Sequence, residues 1–96
     1  MDEESYAALS WYQMEGRERI LGLIKKLETE RIYALSITPE GICTVREDNR
    51  FRRVGFLCSF PRRRIRVIEE ELNKDGIRTN MSGKYLWMSW GKGKRR

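Results

Sequence analysis

Apolar residues fall at Ile20, Leu23, Ile24 and Leu27, the i, i+3, i+4, i+7 spacing of one helix face. Lys25, Lys26, Glu28 and Glu30 point elsewhere. Upstream, Ser5 suits a helix cap, and Tyr6, Leu9 and Tyr12 share a face. The pattern therefore predicts a helix over residues 5–29, with a kink or break at Gly16, a weak helix former. After residue 30 the period changes to two. Tyr33, Leu35 and Ile37 alternate with Ala34 and Ser36, and Ile42 to Arg46 returns as a second strand. Thr38-Pro39-Glu40-Gly41 places Pro and Gly at the second and fourth positions of a type I turn, so 31–47 is predicted as a β-hairpin. Val54, Phe56, Cys58 and Phe60 then alternate, which predicts a strand over 51–60 with one buried face; β-type residues outweigh the helical spacing of Phe51, Val54 and Cys58.

Residues 61–75 return to helical spacing, with Pro61 at a first helical position and Ile65, Ile68 and Leu72 on one side. Gly76 is placed as the C′ residue. Leu72 and Ile77 then occupy the two positions that touch in a Schellman motif. A short strand over 77–80, a turn at Met81-Ser82-Gly83 and a strand over 84–90 follow. Along the last strand Tyr85 and Trp87 share one face, and Leu86, Met88 and Trp90 the other. Both faces are apolar, so this strand is expected to be central or covered on both sides. A faint repeat links the halves: Ile20, Leu23, Leu27 and Ile32 match Ile65, Ile68, Leu72 and Ile77 at a constant offset. The fold expected is α+β, an antiparallel sheet of four to five strands packed by two main helices in the order α-β-β-β-α-β-β.

Length adds that 96 residues make one domain, expected over 1–90, with 91–96 (GKGKRR) as a flexible basic tail. No apolar run approaches the roughly 20 residues of a membrane span. The acidic start argues against a targeting peptide. A soluble, cytoplasmic protein is expected. Cys43 and Cys58 each sit in an apolar alternating stretch and are expected as free, buried thiols.

Charge changes the picture more. The net charge is +6, but unevenly spread. Residues 1–30 hold four basic and seven acidic side chains, and residues 51–96 hold thirteen and four. Such asymmetry favours contact with a polyanion. The charge of the second helix is also reversed: Arg62, Arg63, Arg64 and Arg66 stand at its start, and Glu69, Glu70 and Glu71 follow. A helix N-terminus is partly positive, so each misplaced arginine costs about 0.3–1 kcal/mol when exposed. A broken local rule often marks a working site. Arg62, Arg63, Arg64 and Arg66, with Arg52, Arg53, Arg78 and Lys84, form the candidate phosphate-binding set, because guanidinium forks bind phosphate bidentately. The rival explanation is that the seven acids of residues 1–30 neutralise these arginines inside the molecule. Tyr85, Trp87 and Trp90 are candidates for stacking on bases or for the core. Trp11 and Tyr12 are candidates for a partner surface, including a homodimer contact.

Over 61–90, the helix PRRRIRVIEEELNKDG, the strand IRT, the turn NMSG and the strand KYLWMSW resemble the helix-plus-wing half of a winged-helix domain. The resemblance implies a winged-helix-like alternative fold, with a recognition helix in the major groove and a wing on the backbone. It places Arg62, Arg63, Arg64 and Arg66 where base edges are met, and Arg78 and Lys84 beside the wing. An αβββα order, as in double-stranded RNA-binding domains, also resembles part of the chain and again puts basic residues at the second helix start.

Catalytic signatures are missing. There is no histidine, which removes His-based nucleophile systems and Cys/His zinc sites, and two cysteines cannot form a zinc cage. Neither glycine-rich phosphate loop is present. Glu69, Glu70 and Glu71 fan around a helix and do not converge. No catalytic residue, metal or cofactor is expected, and the chain is expected not to be an enzyme. The expected function is a small nucleic-acid-binding protein, for DNA or RNA. The alternative is an accessory or inhibitor protein, of phage or mobile-element type, that docks on an acidic protein surface or holds a nucleotide. No membrane partner is expected.

Overall fold

The computed structural model describes residues 1–91. Two main helices and a sheet follow the chain in the expected α-β-β-β-α-β-β order. Helix α1 (Glu3–Trp11) runs through a π-helical segment, Tyr12–Gly16, into α2 (Arg17–Thr29). Strands β1 (Ala34–Ile37), β2 (Ile42–Glu47) and β3 (Arg50–Phe56) form a meander. A 3₁₀ turn, Arg62–Arg64, leads into α3 (Ile65–Lys74), and β4 (Arg78–Ser82) and β5 (Tyr85–Ser89) close the chain. The sheet is five-stranded and antiparallel in the order β3-β2-β1-β5-β4.

One face of this sheet is buried. Leu35, Ile37, Cys43, Val45, Leu86 and Met88 alternate along β1, β2 and β5 and are at most 1% exposed. They join Tyr12, Ile20, Leu27, Ile68 and Leu72 from the helices in one core. Each such aliphatic side chain contributes about 1.5–3 kcal/mol through burial. Both members of the faint repeat end alike. Ile32 N–H donates to the Leu27 carbonyl, and Ile77 N–H donates to the Leu72 carbonyl, each at 3.0 Å. These are the long-range bonds of two Schellman motifs.

Helices α1 and α3 run side by side in the same direction. Asp2 and Glu4 meet Arg63 and Arg64 at the starts, while Tyr12 and Arg17 meet Asp75 just past the end of α3.

Several local expectations are corrected. Asp2, not Ser5, caps α1: its carboxylate accepts the Ser5 N–H at 2.6 Å. Tyr6 is 68% exposed, and the buried positions there are Ala8 and Tyr12. Gly16 does not end the helix, because the wider π turn carries the chain into α2. The third strand stops at Phe56, and a bulge opposite Cys43 and Thr44 breaks its alternation, so Val54 and Phe56 do not share a face. Cys58 falls in the following turn and is exposed, while Cys43 is buried; both are free thiols. The winged-helix alternative is overturned. Such a fold places a helix before its recognition helix, where β3 lies, and the β4–β5 hairpin belongs to the main sheet instead of standing out as a wing. The basic tail predicted for 91–96 lies, from residue 92 on, outside the described residues. No helix among the described residues is long and apolar enough to cross a membrane.

Candidate nucleic-acid interface

Among the described residues, no helix lies on the second face of the sheet. Its residues follow from register. Ser36 pairs with Thr44 and with Trp87, Thr44 with Arg53, Arg46 with Phe51, and Ile42 with Phe56. Asn80 pairs with Trp87, Arg78 with Ser89, and Ser82 with Tyr85. The bulge in β3 matters here. It lets Arg53 and Phe56, three apart, project on the same side. The result is a surface carrying Phe51, Phe56, Tyr85 and Trp87 among Arg46, Arg53 and Arg78. No strand position on this face is Asp or Glu.

The aromatic rings are accessible. Phe51 is 60%, Phe56 47% and Tyr85 39% exposed, and Trp87 is half-buried. Phe51 and Trp87 lie 6.2 Å apart between centroids. The Arg53 guanidinium stands 5.8 Å over the Phe56 ring, and Lys84, in the β4–β5 turn, stands 5.8 Å over Tyr85. Between the rings the floor is small and polar: the Ser36 and Thr44 hydroxyls share a hydrogen bond of 2.7 Å. Two hollows open on this face. One is bounded by Thr38, Thr44, Phe51 and Tyr85, the other by Ala34, Arg78, Asn80, Trp87 and Ser89. Flat π-faces, unpaired cations and short hydroxyl side chains are the components that bind unstacked bases and their phosphates.

The remaining predicted residues lie elsewhere. Arg52 pairs in register with core-facing Val45, so it points to the helix side. There it bonds Glu47 at 2.9 Å and Glu30 at 2.8 Å, and its guanidinium holds the Glu47 carboxyl below the usual range. The reversed charge before α3 is answered by α1. Arg64 meets Glu4 at 2.8 Å and Asp2 at 3.3 Å, and Arg63 meets Glu4 at 3.6 Å. The Ser5 backbone N–H, with help from Arg64, holds the Asp2 carboxyl down to about 2. Two of the four arginines are thus engaged by the acidic first third. Arg62 and Arg66 are exposed, with no carboxylate within 4.0 Å among the described residues. The regular helix itself begins only at Ile65, with no side-chain cap.

Tyr12 is 1% exposed, which places it in the core and not on a partner surface. Its hydroxyl donates to Asp75 at 2.7 Å. Burial, and then the hydrogen bond to the Asp75 carboxylate, push its phenol well above the usual range. Trp11 is half-buried: its indole N–H donates to the Cys58 carbonyl at 3.0 Å, and its ring meets Phe60 edge-on. Trp90 belongs to the core. No cluster of three metal-ligating side chains occurs among the described residues.

Sequence reasoning named Arg53, Arg78, Lys84, Tyr85 and Trp87 but not their shared face, and it missed Arg46, Phe51 and Phe56 as site residues. The available signal was the spacing Phe51–Arg53 in a strand whose neighbour carries Thr44 and Arg46 out of phase with Cys43 and Val45. No protein-family model, curated protein or solved structure matches the chain.

Proposed function

We propose that this protein binds single-stranded nucleic acid across the open face of its sheet. Bases stack on Phe51, Phe56, Tyr85 and Trp87, and the backbone phosphates meet Arg46, Arg53, Arg78 and Lys84. One observation carries the reading: among the described residues, a sheet face without a helix over it has four aromatic rings, three arginines and no Asp or Glu at its strand positions. Stacking explains the preference for single strands, since a duplex offers no free base faces to a flat surface. Arg62 and Arg66, on the helix side, are left as auxiliary phosphate contacts. The protein acts by binding and not by catalysis, and the two free thiols suit the cytoplasm as its compartment.

The experiment is an anisotropy titration of labelled single-stranded and duplex 12-mers, DNA and RNA, across salt. Single strands are expected to bind more tightly than duplexes. With about four phosphates neutralised, log K should fall against log[salt] with a slope of about −3. Affinity no tighter than about 10⁻⁴ M for every strand, the weak end of non-specific binding, would overturn the proposal.

A further inference from the structure

Two side chains at the edge of this face have the chemistry of base readers. Asn80 lies directly across from Trp87 in the β4–β5 register, and Arg78 lies two residues along the same side of β4. Both are exposed, and neither side chain has a hydrogen-bond or ion-pair partner among the described residues. Neighbours on the other side of the same strand are used differently: the Thr79 hydroxyl is tied to Asn73 at 3.4 Å. Ala34, Arg78, Asn80, Trp87 and Ser89 are among the residues that line one hollow. A base resting on the Trp87 indole there would present its edge to β4.

The other hollow differs. Thr38, Thr44, Phe51 and Tyr85 offer two rings and two hydroxyls, but no guanidinium or amide. Hydroxyls discriminate poorly between bases, whereas an Asn amide pairs with adenine N6 and N7 and an Arg fork with guanine O6 and N7. Both of those edges belong to purines. Residues two apart on a strand stand roughly 7 Å from each other, within one purine-plus-sugar span.

We infer that the hollow beside Trp87 is a purine slot, in which the base stacks on the indole and its edge is read by Asn80 and Arg78. The inference rests on the sheet face being the nucleic-acid site. It adds that the protein is selective, with one position of the bound strand specified and the neighbouring position on Phe51 and Tyr85 tolerant.

The test uses the full chain and four labelled strands: an eight-residue thymidine strand, and the same strand with one central A, G or C. A or G should tighten binding about fivefold or more, the low end of a base-edge pair, and C should not. Asn80→Ala and Arg78→Lys should each bring the matching purine strand to within about twofold of the thymidine strand. Arg78→Lys keeps the charge but loses the fork, so the purine strands should weaken more than the thymidine strand. Both side chains are exposed and unpaired, so thermal midpoints should match the parent. Equal binding of all four strands, or a purine preference that survives both substitutions, overturns the slot while leaving the sheet face standing. No binding of any strand overturns both.

Discussion

The Phe51 and Trp87 rings stand 6.2 Å apart, although the backbones that carry them are separated by two strands. Three strand intervals amount to about 14 Å, so both side chains lean inward over the sheet. They can do so because the positions between them are Ser36 and Thr44. Larger residues there would hold the rings apart. Phe51 is 60% exposed, so Phe51→Ala should cost only the ring pair, about 0.5–1.5 kcal/mol of stability. The same change should weaken single-strand binding about tenfold, the loss of one stacked base. Thermal unfolding and oligonucleotide titration on the same variant check the two values. Lost stability with unchanged affinity would remove Phe51 from the interface.

Helices α2 and α3 end with the same bond over the same apolar pair, but their C′ residues differ. Gly76 holds φ at 85°, whereas Arg31 holds φ at 62°. A left-handed conformation costs a non-glycine residue about 1–2 kcal/mol, and glycine returns about half of that through its more flexible unfolded chain. Arg31→Gly should therefore stabilise the fold by about 0.5–1 kcal/mol, raising the melting temperature by roughly 4 °C. Gly76→Ala meets no steric neighbour and should lose about 1 kcal/mol through backbone strain alone. Denaturant titration of both variants tests the pairing.

The helices, the hairpins and the seven-element order were legible because period and turn chemistry are local. Leu72, Gly76 and Ile77 announced a helix end that the backbone bonds display. Strand faces were less legible. Val54, Phe56, Cys58 and Phe60 alternate as one face in sequence, yet the bulge reverses the phase after Arg53, and the chain turns away after Phe56. That single slip hid Phe56 from the candidate site. Tyr85 and Trp87 read as one apolar face of a strand expected to be central or covered on both sides; β5 is central, but hydropathy does not distinguish a ring under a helix from one on an open sheet. The answer to the arginines was partly visible: acids in the first 30 residues were an expected counterweight. Their actual partners, Asp2 and Glu4, depended on α1 packing parallel to α3, which no local pattern encodes.

Gly16 gives a prediction that opposes helix propensity. In an ordinary helix interior, Gly→Ala stabilises by up to about 1 kcal/mol. Here an added Cβ would lie 2.3 Å from Trp11 Cζ3 and 2.5 Å from Cη2. The indole would have to move, and its placement is shared with the Cys58 carbonyl and the Phe60 ring. Overpacking of this kind costs about 1–3 kcal/mol, so Gly16→Ala should be net destabilising. A lowered melting temperature with a changed tryptophan emission is the expected result. A gain in stability would mean the indole is free to swing outward.

Acid should undo the parallel packing of α1 and α3 from both ends. At the starts, the Ser5 N–H and Arg64 hold the Asp2 carboxyl down to about 2. At the far end, Asp75 accepts from the Tyr12 hydroxyl and from Arg17 Nε at 3.0 Å, and its carboxyl is held below the usual range, chiefly by Tyr12. A carboxylate whose folded pKa is depressed stabilises the fold fully above its unfolded value near 4, and loses that contribution as pH falls through the folded value. Asp2→Asn and Asp75→Asn should each melt below the parent at pH 6. For Asp2→Asn the gap should close between about pH 4 and pH 2. Tyr12→Phe deletes a buried hydroxyl bonded to a carboxylate and should cost about 1.5–3 kcal/mol at pH 6, less once Asp75 is protonated. Melting temperatures of the parent and the three variants from pH 6 to pH 2 test this. A gap that stays constant across that range would show that the two carboxylates do not tie α1 to α3.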